Sequence, residues 1–141
     1  MINKLNKSII IFIVFAFGFF ISNLLRSITA TLTPVLTNEF DLTAGNLGLL
    51  AGGYFLGFSL MQIPAGLFLD KYGPKYIQIF LMVIASFGAL LFALGDNIIV
   101  LTLARGIIGL GVAGCLMSTF KIITLWYKKI HWPVLYGLCI S

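Results

Sequence analysis

Polar and charged side chains recur at helical spacing in one stretch near the N-terminus. Ser22, Arg26, Thr29 and Thr33 follow one another at intervals of four, three and four residues. Such spacing places them on one face of an α-helix. A guanidinium binds phosphate or carboxylate groups through two parallel hydrogen bonds. The stripe therefore predicts a helix face that lines a water-filled cavity, with Arg26 as the candidate anion ligand. The alternative is an arginine that extends outward to the nearest polar surface.

A second arginine, Arg105, is the only charged residue between positions 97 and 120. If this stretch crosses a membrane, a central arginine costs about 2.5–3.5 kcal/mol on insertion scales. We therefore expect Arg105 to face the interior of a helix bundle and to have a polar partner. Gly109, Gly111 and Ala113 follow it, and small residues let helix backbones approach closely in lipid.

A third cluster lies in a short loop between two apolar stretches. Its members are Gly66, Asp70, Lys71, Gly73 and Lys75. Gly73 can adopt a positive φ and Pro74 fixes the following turn, so the loop is predicted to be a tight hairpin. An ordinary loop accounts for the two lysines. It does not account for a carboxylate beside them, between two glycines seven residues apart.

The composition identifies the environment in which these clusters act. The chain has 141 residues, of which 60% are hydrophobic and 9% charged, with a mean hydropathy of +1.10. A soluble domain of this size could not bury so much apolar surface. The numbers exclude a soluble enzyme, a nucleic-acid-binding module and a disordered tail, and they indicate an integral membrane protein.

The chain carries no pattern typical of an enzyme, a metal site or a cofactor site. It lacks a nucleophile–base pair, a carboxylate dyad and a phosphate-binding loop. Cys115 and Cys139 lie in apolar stretches, which favours inert buried thiols. His131 has no histidine, cysteine or carboxylate within four residues, so a metal site has no support. We expect neither enzymatic activity nor a cofactor.

The spacing of the charges predicts an all-α, polytopic fold of about four transmembrane helices and the start of a fifth. Each uncharged stretch is long enough for a helix of about 20 residues to cross the bilayer. The predicted spans are residues 8–36, 44–69, 76–95 and 98–122, and a fifth begins with residues 133–141 and continues onward. We interpret the first as a transmembrane helix rather than a secretory signal peptide. Glycines in the second span predict a close-packing or rocking surface, and they are Gly48, Gly52, Gly53 and Gly57.

The asymmetry of lysines and acids predicts the orientation. With the N-terminus in the cytoplasm, six lysines lie on the cytoplasmic side and the acids on the opposite side are Glu39, Asp41 and Asp96. The six lysines are Lys4, Lys7, Lys71, Lys75, Lys128 and Lys129. We interpret Lys121 as a side chain that snorkels to the cytoplasmic face. The basic balance is thus explained by topology in the cytoplasmic membrane and requires no nucleic-acid partner.

The loop from Gly66 to Lys75 resembles the one that joins helices two and three in the major facilitator superfamily. That family has Gly, three residues, Asp, Arg or Lys, one residue, Gly, one residue, and Arg or Lys, which this loop matches. Tyr76 stands where a further basic residue is common. The resemblance implies that Asp70 and its basic neighbours form a charge latch. This latch would close the cytoplasmic gate against the other half of a transporter.

Two further features resemble the same family. Arg105 with its following small residues is similar to the family's fourth helix, which implies a role in the central cavity or in proton coupling. The stretch from Arg26 to Pro34, followed by residues 39–42 and Gly48, resembles the anion:cation symporter branch. There a first-helix arginine contacts an anionic substrate. The loop after the fourth span departs from the family pattern, since His131 and Trp132 replace an acidic and a basic residue.

The resemblance implies the N-terminal portion of a 12-helix secondary transporter that works by alternating access. The expected partners are a small solute, which the symporter resemblance implies is anionic, a coupling proton or sodium ion, the lipid bilayer and the remaining helices of the same protein. Two alternatives stay open. The chain could be a complete small membrane protein with a structural or subunit role, or a small four-helix exporter.

Overall fold

The protein is all-α in the part of the chain that the structure, a computed structural model, describes. This part comprises the backbone of residues 2–127 and 129–140 and the side chains of residues 9–28, 31–127 and 129–137. The side chains of Lys4, Lys7, Thr29, Lys128 and Cys139, which the sequence analysis uses, lie outside it. The helices are α1 (Ile2–Phe40), α2 (Ala44–Tyr72), α3 (Pro74–Ala93), α4 (Ile98–Trp126) and α5 (Trp132–Ile140), with a 3-10 turn at Lys129–His131. The first four are long and apolar enough to cross a membrane, which confirms the predicted fold class.

α2 and α4 begin at the residues expected from the charges, each at a local N-cap, whereas α1, α2 and α4 end beyond the expected spans. The hydroxyl of Thr43 accepts a hydrogen bond of 3.3 Å from the Asn46 amide at the start of α2. The amide oxygen of Asn97 accepts one of 3.2 Å from the Ile99 amide at the start of α4. Both are typical N-cap interactions. α1 continues through Pro34 as far as Phe40, beyond the expected end at residue 36.

The hairpin between α2 and α3 has the geometry that the sequence predicts. Gly73 has φ of 83°, a backbone conformation that glycine adopts at little cost. Its amide donates a 3.1 Å hydrogen bond to the carbonyl of Leu69, which closes the last turn of α2. Pro74 then opens α3, where its missing amide hydrogen leaves no helix bond unmade. α3 consequently begins and ends two residues earlier than the predicted 76–95.

α4 is the central helix of the bundle and packs against α1, α2 and α3. Of its span 56% is buried, compared with 11% of the α1 span. Glycines form these contacts: a Cβ on Gly57 would collide with the Gly106 carbonyl, and one on Gly109 with the Tyr54 carbonyl. The small residues that follow Arg105 therefore do allow close approach of backbones, as expected.

The glycines of α2 divide between two faces. A Cβ on Gly53 would lie 2.9 Å from the Thr102 carbonyl oxygen of α4. Gly48 and Gly52 have no atom within 4 Å of such a Cβ. The predicted packing surface is thus divided: Gly53 and Gly57 pack against α4, whereas Gly48 and Gly52 face open space. Large exposed apolar side chains such as Leu60 and Ile63 lie on this outer surface, as expected where a helix meets lipid or another helix.

Candidate functional site

Arg26 lies on the exposed side of α1, within the apolar stretch Ile9–Ile28. The central carbon of its guanidinium is 5.8 Å from the ring centroid of Phe55 on α2, which is within range of a cation–π contact. The Phe55 ring is itself exposed. Arg26 and Phe55 together therefore present one cationic and one aromatic group on the open face between α1 and α2.

The other members of the polar stripe on α1 do not all share this exposure. Ser22 is buried, with 9% of its surface exposed, and Thr33 is half-buried. The Thr37 hydroxyl donates a 2.7 Å hydrogen bond to the Thr33 carbonyl. The stripe therefore runs along the edge of the helix contact, and of the described members only Arg26 is exposed.

Arg105 is completely enclosed, with no exposed surface. One terminal nitrogen (Nη1) donates a 3.2 Å hydrogen bond to the backbone carbonyl of Leu25 on α1. The guanidinium also stacks on Phe92 of α3, with 4.3 Å between its central carbon and the ring centroid. The expected interior position and polar partner are both present. Nε and Nη2 have no hydrogen-bond partner.

Arg105 is connected to Arg26 by a hydrogen bond to the backbone beside it, and the two side chains do not share a surface. The carbonyl that Arg105 binds belongs to the peptide bond between Leu25 and Arg26. Arg26 is thus exposed, while Arg105, bonded to the peptide unit that precedes Arg26, is enclosed.

The α2–α3 hairpin presents its charged residues at the opposite end of the bundle. Asp70 is 78% exposed and forms an ion pair with Lys121 of α4. The Lys121 ammonium also donates a 3.1 Å hydrogen bond to the Leu69 carbonyl. Lys71 and Lys75 are exposed, with their ammonium groups 5.3 and 6.0 Å from the ring centroids of the tyrosines that follow each of them. Gly66 has no atom within 4 Å of a Cβ placed on it.

The ion pair of Lys121 is the feature that the sequence analysis missed. Snorkelling places this side chain at the correct end of α4, but its ammonium ends on a specific carboxylate and carbonyl. Asp70 is the one acid among the lysines at this end, so an ion pair with one of them is possible from the sequence. Lys71, Lys75 and Lys121 were all available, and only the packing of α4 against α2 selects the third.

A search of the described residues finds no group of three or more histidine, cysteine or acidic side chains that could hold a metal ion. Cys115 is buried and unpaired by any disulfide. Its sulfur lies 3.7 Å from the Met82 sulfur, so its surroundings are those of a packed core thiol.

Comparison with known proteins gives consistent matches. The sequence profile of the Major Facilitator Superfamily matches residues 15–141. The chain is 28% identical over 108 residues to the probable sulfoacetate transporter SauU of Cupriavidus necator, covering 77% of this chain and 25% of that protein. It is 34% identical over 94 residues to the uncharacterized transporter YybO of Bacillus subtilis, covering 67% and 22%.

A third relative is the quinolone resistance protein NorA of Staphylococcus aureus. It is 32% identical over 113 residues, covering 80% of this chain and 28% of that protein. No solved structure gives a significant match. The chain spans about a quarter of the length of these curated relatives.

Proposed function

The chain belongs to the major facilitator superfamily of multi-pass membrane transporters, and we propose that it supplies the N-terminal helices of a secondary active transporter for a small organic anion. The transporter lies in the cytoplasmic membrane with its N-terminus in the cytoplasm. Its solute binds against Arg26, and Asp70 with its neighbours acts at the cytoplasmic gate. The remaining helices of the same protein complete the cavity.

The position of Arg26 is the observation that carries the proposal. Its guanidinium is exposed inside an apolar span, beside the Phe55 ring. An uncompensated cation at membrane depth is costly unless it faces a partner or a water-filled cavity. The described side chains give Arg26 no ion pair, since the single ion pair among them is that of Lys121 with Asp70. An anionic solute supplies the missing charge and accepts two hydrogen bonds from one guanidinium.

The relatives support a solute of this class without identifying it. The name of one includes sulfoacetate, a small molecule with a sulfonate and a carboxylate. A second candidate function is drug export, because the name of another relative refers to quinolone resistance. Quinolones are larger and carry a single carboxylate beside an aromatic ring system. Uptake of sulfoacetate and export of a quinolone are therefore assayed side by side.

Coupling to a proton or sodium gradient is part of the proposal. Outside the first and last two turns of the four long helices the charged residues are Arg26 and Arg105, whereas Lys121 lies in the last two turns of α4 and all four acids lie at helix ends or in loops. A membrane-embedded carboxylate that binds the coupling ion would therefore come from the other helices of the transporter. Imposed proton and sodium gradients in proteoliposomes distinguish the two ions.

The direct test uses the full-length transporter expressed in cells that lack uptake of sulfoacetate. We expect Arg26→Ala to abolish most of the uptake and Arg26→Lys to lower it strongly, because lysine cannot make the bidentate contact. Ser27→Ala is the matched control, since Ser27 is an exposed neighbour on the same helix. Uptake by Arg26→Ala equal to that of the control, at equal membrane levels, would contradict the binding role.

A further inference from the structure

α1 is the least buried of the four spans, and two polar bonds from α4 reach its backbone. Arg105 donates to the Leu25 carbonyl at 3.2 Å. The hydroxyl of Thr119 is 3.4 Å from the Phe15 carbonyl and also donates to its own helix, 2.8 Å from the Cys115 carbonyl. The two acceptors on α1 are ten residues apart, which is about 15 Å along a helix. Arg105 thus bonds the outer half of α1, whereas Thr119, whose hydrogen is shared with the Cys115 carbonyl, makes only a long contact with the inner half.

The bond from Arg105 reaches the backbone at the residue before Arg26. A shift or rotation of α1 at this carbonyl moves the Cα of Arg26 with it, since the two belong to one rigid peptide unit. The Leu25 side chain packs against a buried cluster that includes Tyr54 and Ile108. The apolar packing fixes how close α1 lies to α4. A directional hydrogen bond additionally fixes which way the helix is turned.

Because Arg105 is enclosed, its bond to the backbone of α1 does not involve contact with a solute. It has no exposed surface, and the Phe92 ring covers one side of its guanidinium. A solute on the open face where Arg26 lies would not reach it without displacing packed side chains. Its charge nonetheless favours a strong bond to the carbonyl, because hydrogen bonds from charged donors are stronger than neutral ones.

We propose that Arg105 is a positioning residue, which holds the Leu25 carbonyl so that Arg26 is turned toward the solute cavity. This inference rests on the proposed function, in which Arg26 binds the anion. It assigns to α4 a part in anion recognition that involves no contact with the anion. Loss of Arg105 should then act only through Arg26.

A double-mutant cycle on full-length transporter in proteoliposomes tests this, with binding of radiolabelled sulfoacetate as the readout. We expect Arg105→Ala to weaken binding about tenfold, equivalent to about 1.4 kcal/mol. In the Arg26→Ala background the same change should weaken binding less than twofold. Arg105→Lys, which retains a charged donor, should recover part of the affinity. Equal effects of Arg105→Ala in both backgrounds would overturn the proposal, because they would show that Arg105 acts independently of Arg26.

A second measurement does not depend on the solute. Hydrogen exchange of the same variants should increase in residues 25–33 of α1 for Arg105→Ala, and more there than near Phe92 of α3, which loses only its contact with the guanidinium. Thr119→Val is the matched control and should increase exchange only near Phe15. Unchanged exchange at residues 25–33 would overturn the positioning role even if transport is lost. If no sulfoacetate binding is found but this exchange pattern appears, the anion assignment fails and the positioning contact stands.

Discussion

Replacement of Asp70 by asparagine distinguishes two roles for the carboxylate at the α2–α3 hairpin: the ion pair with Lys121 within this chain, and a latch against the rest of the transporter. Within this chain Asp70 is paired with Lys121, but its side chain is 78% exposed and that of Lys121 is 28% exposed. Exposed ion pairs contribute about 0.2–1 kcal/mol because water screens them. The Lys121 bond to the Leu69 carbonyl is untouched by the change. Asp70→Asn should therefore leave folding and membrane insertion normal.

The small free energy of the exposed ion pair also limits how much its loss can change the rate of transport. A loss of at most about 1 kcal/mol changes an equilibrium by no more than about fivefold. A latch that closes against the rest of the transporter and excludes water would lose more, since desolvated charge pairs are stronger. We expect Asp70→Asn to lower initial sulfoacetate uptake more than about tenfold, and Lys121→Ala to lower it less than Asp70→Asn does, although it also removes the bond to the Leu69 carbonyl.

The assay is initial uptake by the full-length transporter, normalised to the amount of protein in the membrane by immunoblot. Lys129→Ala is the control, because Lys129 is an exposed lysine at the same end of the bundle. Equal and small losses for Asp70→Asn and Lys121→Ala would refute the latch and leave only the pair within this chain. Disappearance of Asp70→Asn from the membrane would refute the estimate of its stability contribution.

Two further predictions concern packing and orientation. In the 141-residue chain purified in detergent, Gly57→Ala should lower the midpoint temperature of thermal unfolding, because its Cβ collides with the Gly106 backbone and overpacking costs about 1–3 kcal/mol. Gly52→Ala is the control and should leave this temperature equal or higher, because the space around its Cβ is open. Equal decreases for the two variants would contradict the α2–α4 contact. With the native cysteines replaced by serine, Asp41→Cys on the predicted outer side should react with a membrane-impermeant maleimide in intact cells. Lys129→Cys on the predicted cytoplasmic side should react only after permeabilisation. The reverse pattern would contradict the predicted topology.

The sequence alone determined the fold class and the number of spans. Charges are expelled from the bilayer core, so their spacing marks where apolar helices can cross. The turn at Gly73 was equally predictable, because it depends on local backbone chemistry: a positive φ at glycine and a proline that opens the next helix. The family also followed from the loop motif around Asp70.

Only the tertiary structure decided which side chains meet. Lys121 pairs with Asp70 from 51 residues away, and Arg105 bonds the Leu25 carbonyl from 80 residues away. The sequence could not distinguish Gly57, packed against α4, from the open Gly52. The physical reason is that a membrane helix is apolar on every side, because lipid and helix interior are equally apolar. Its sequence therefore carries little record of which face turns inward, and close packing of small residues makes that choice.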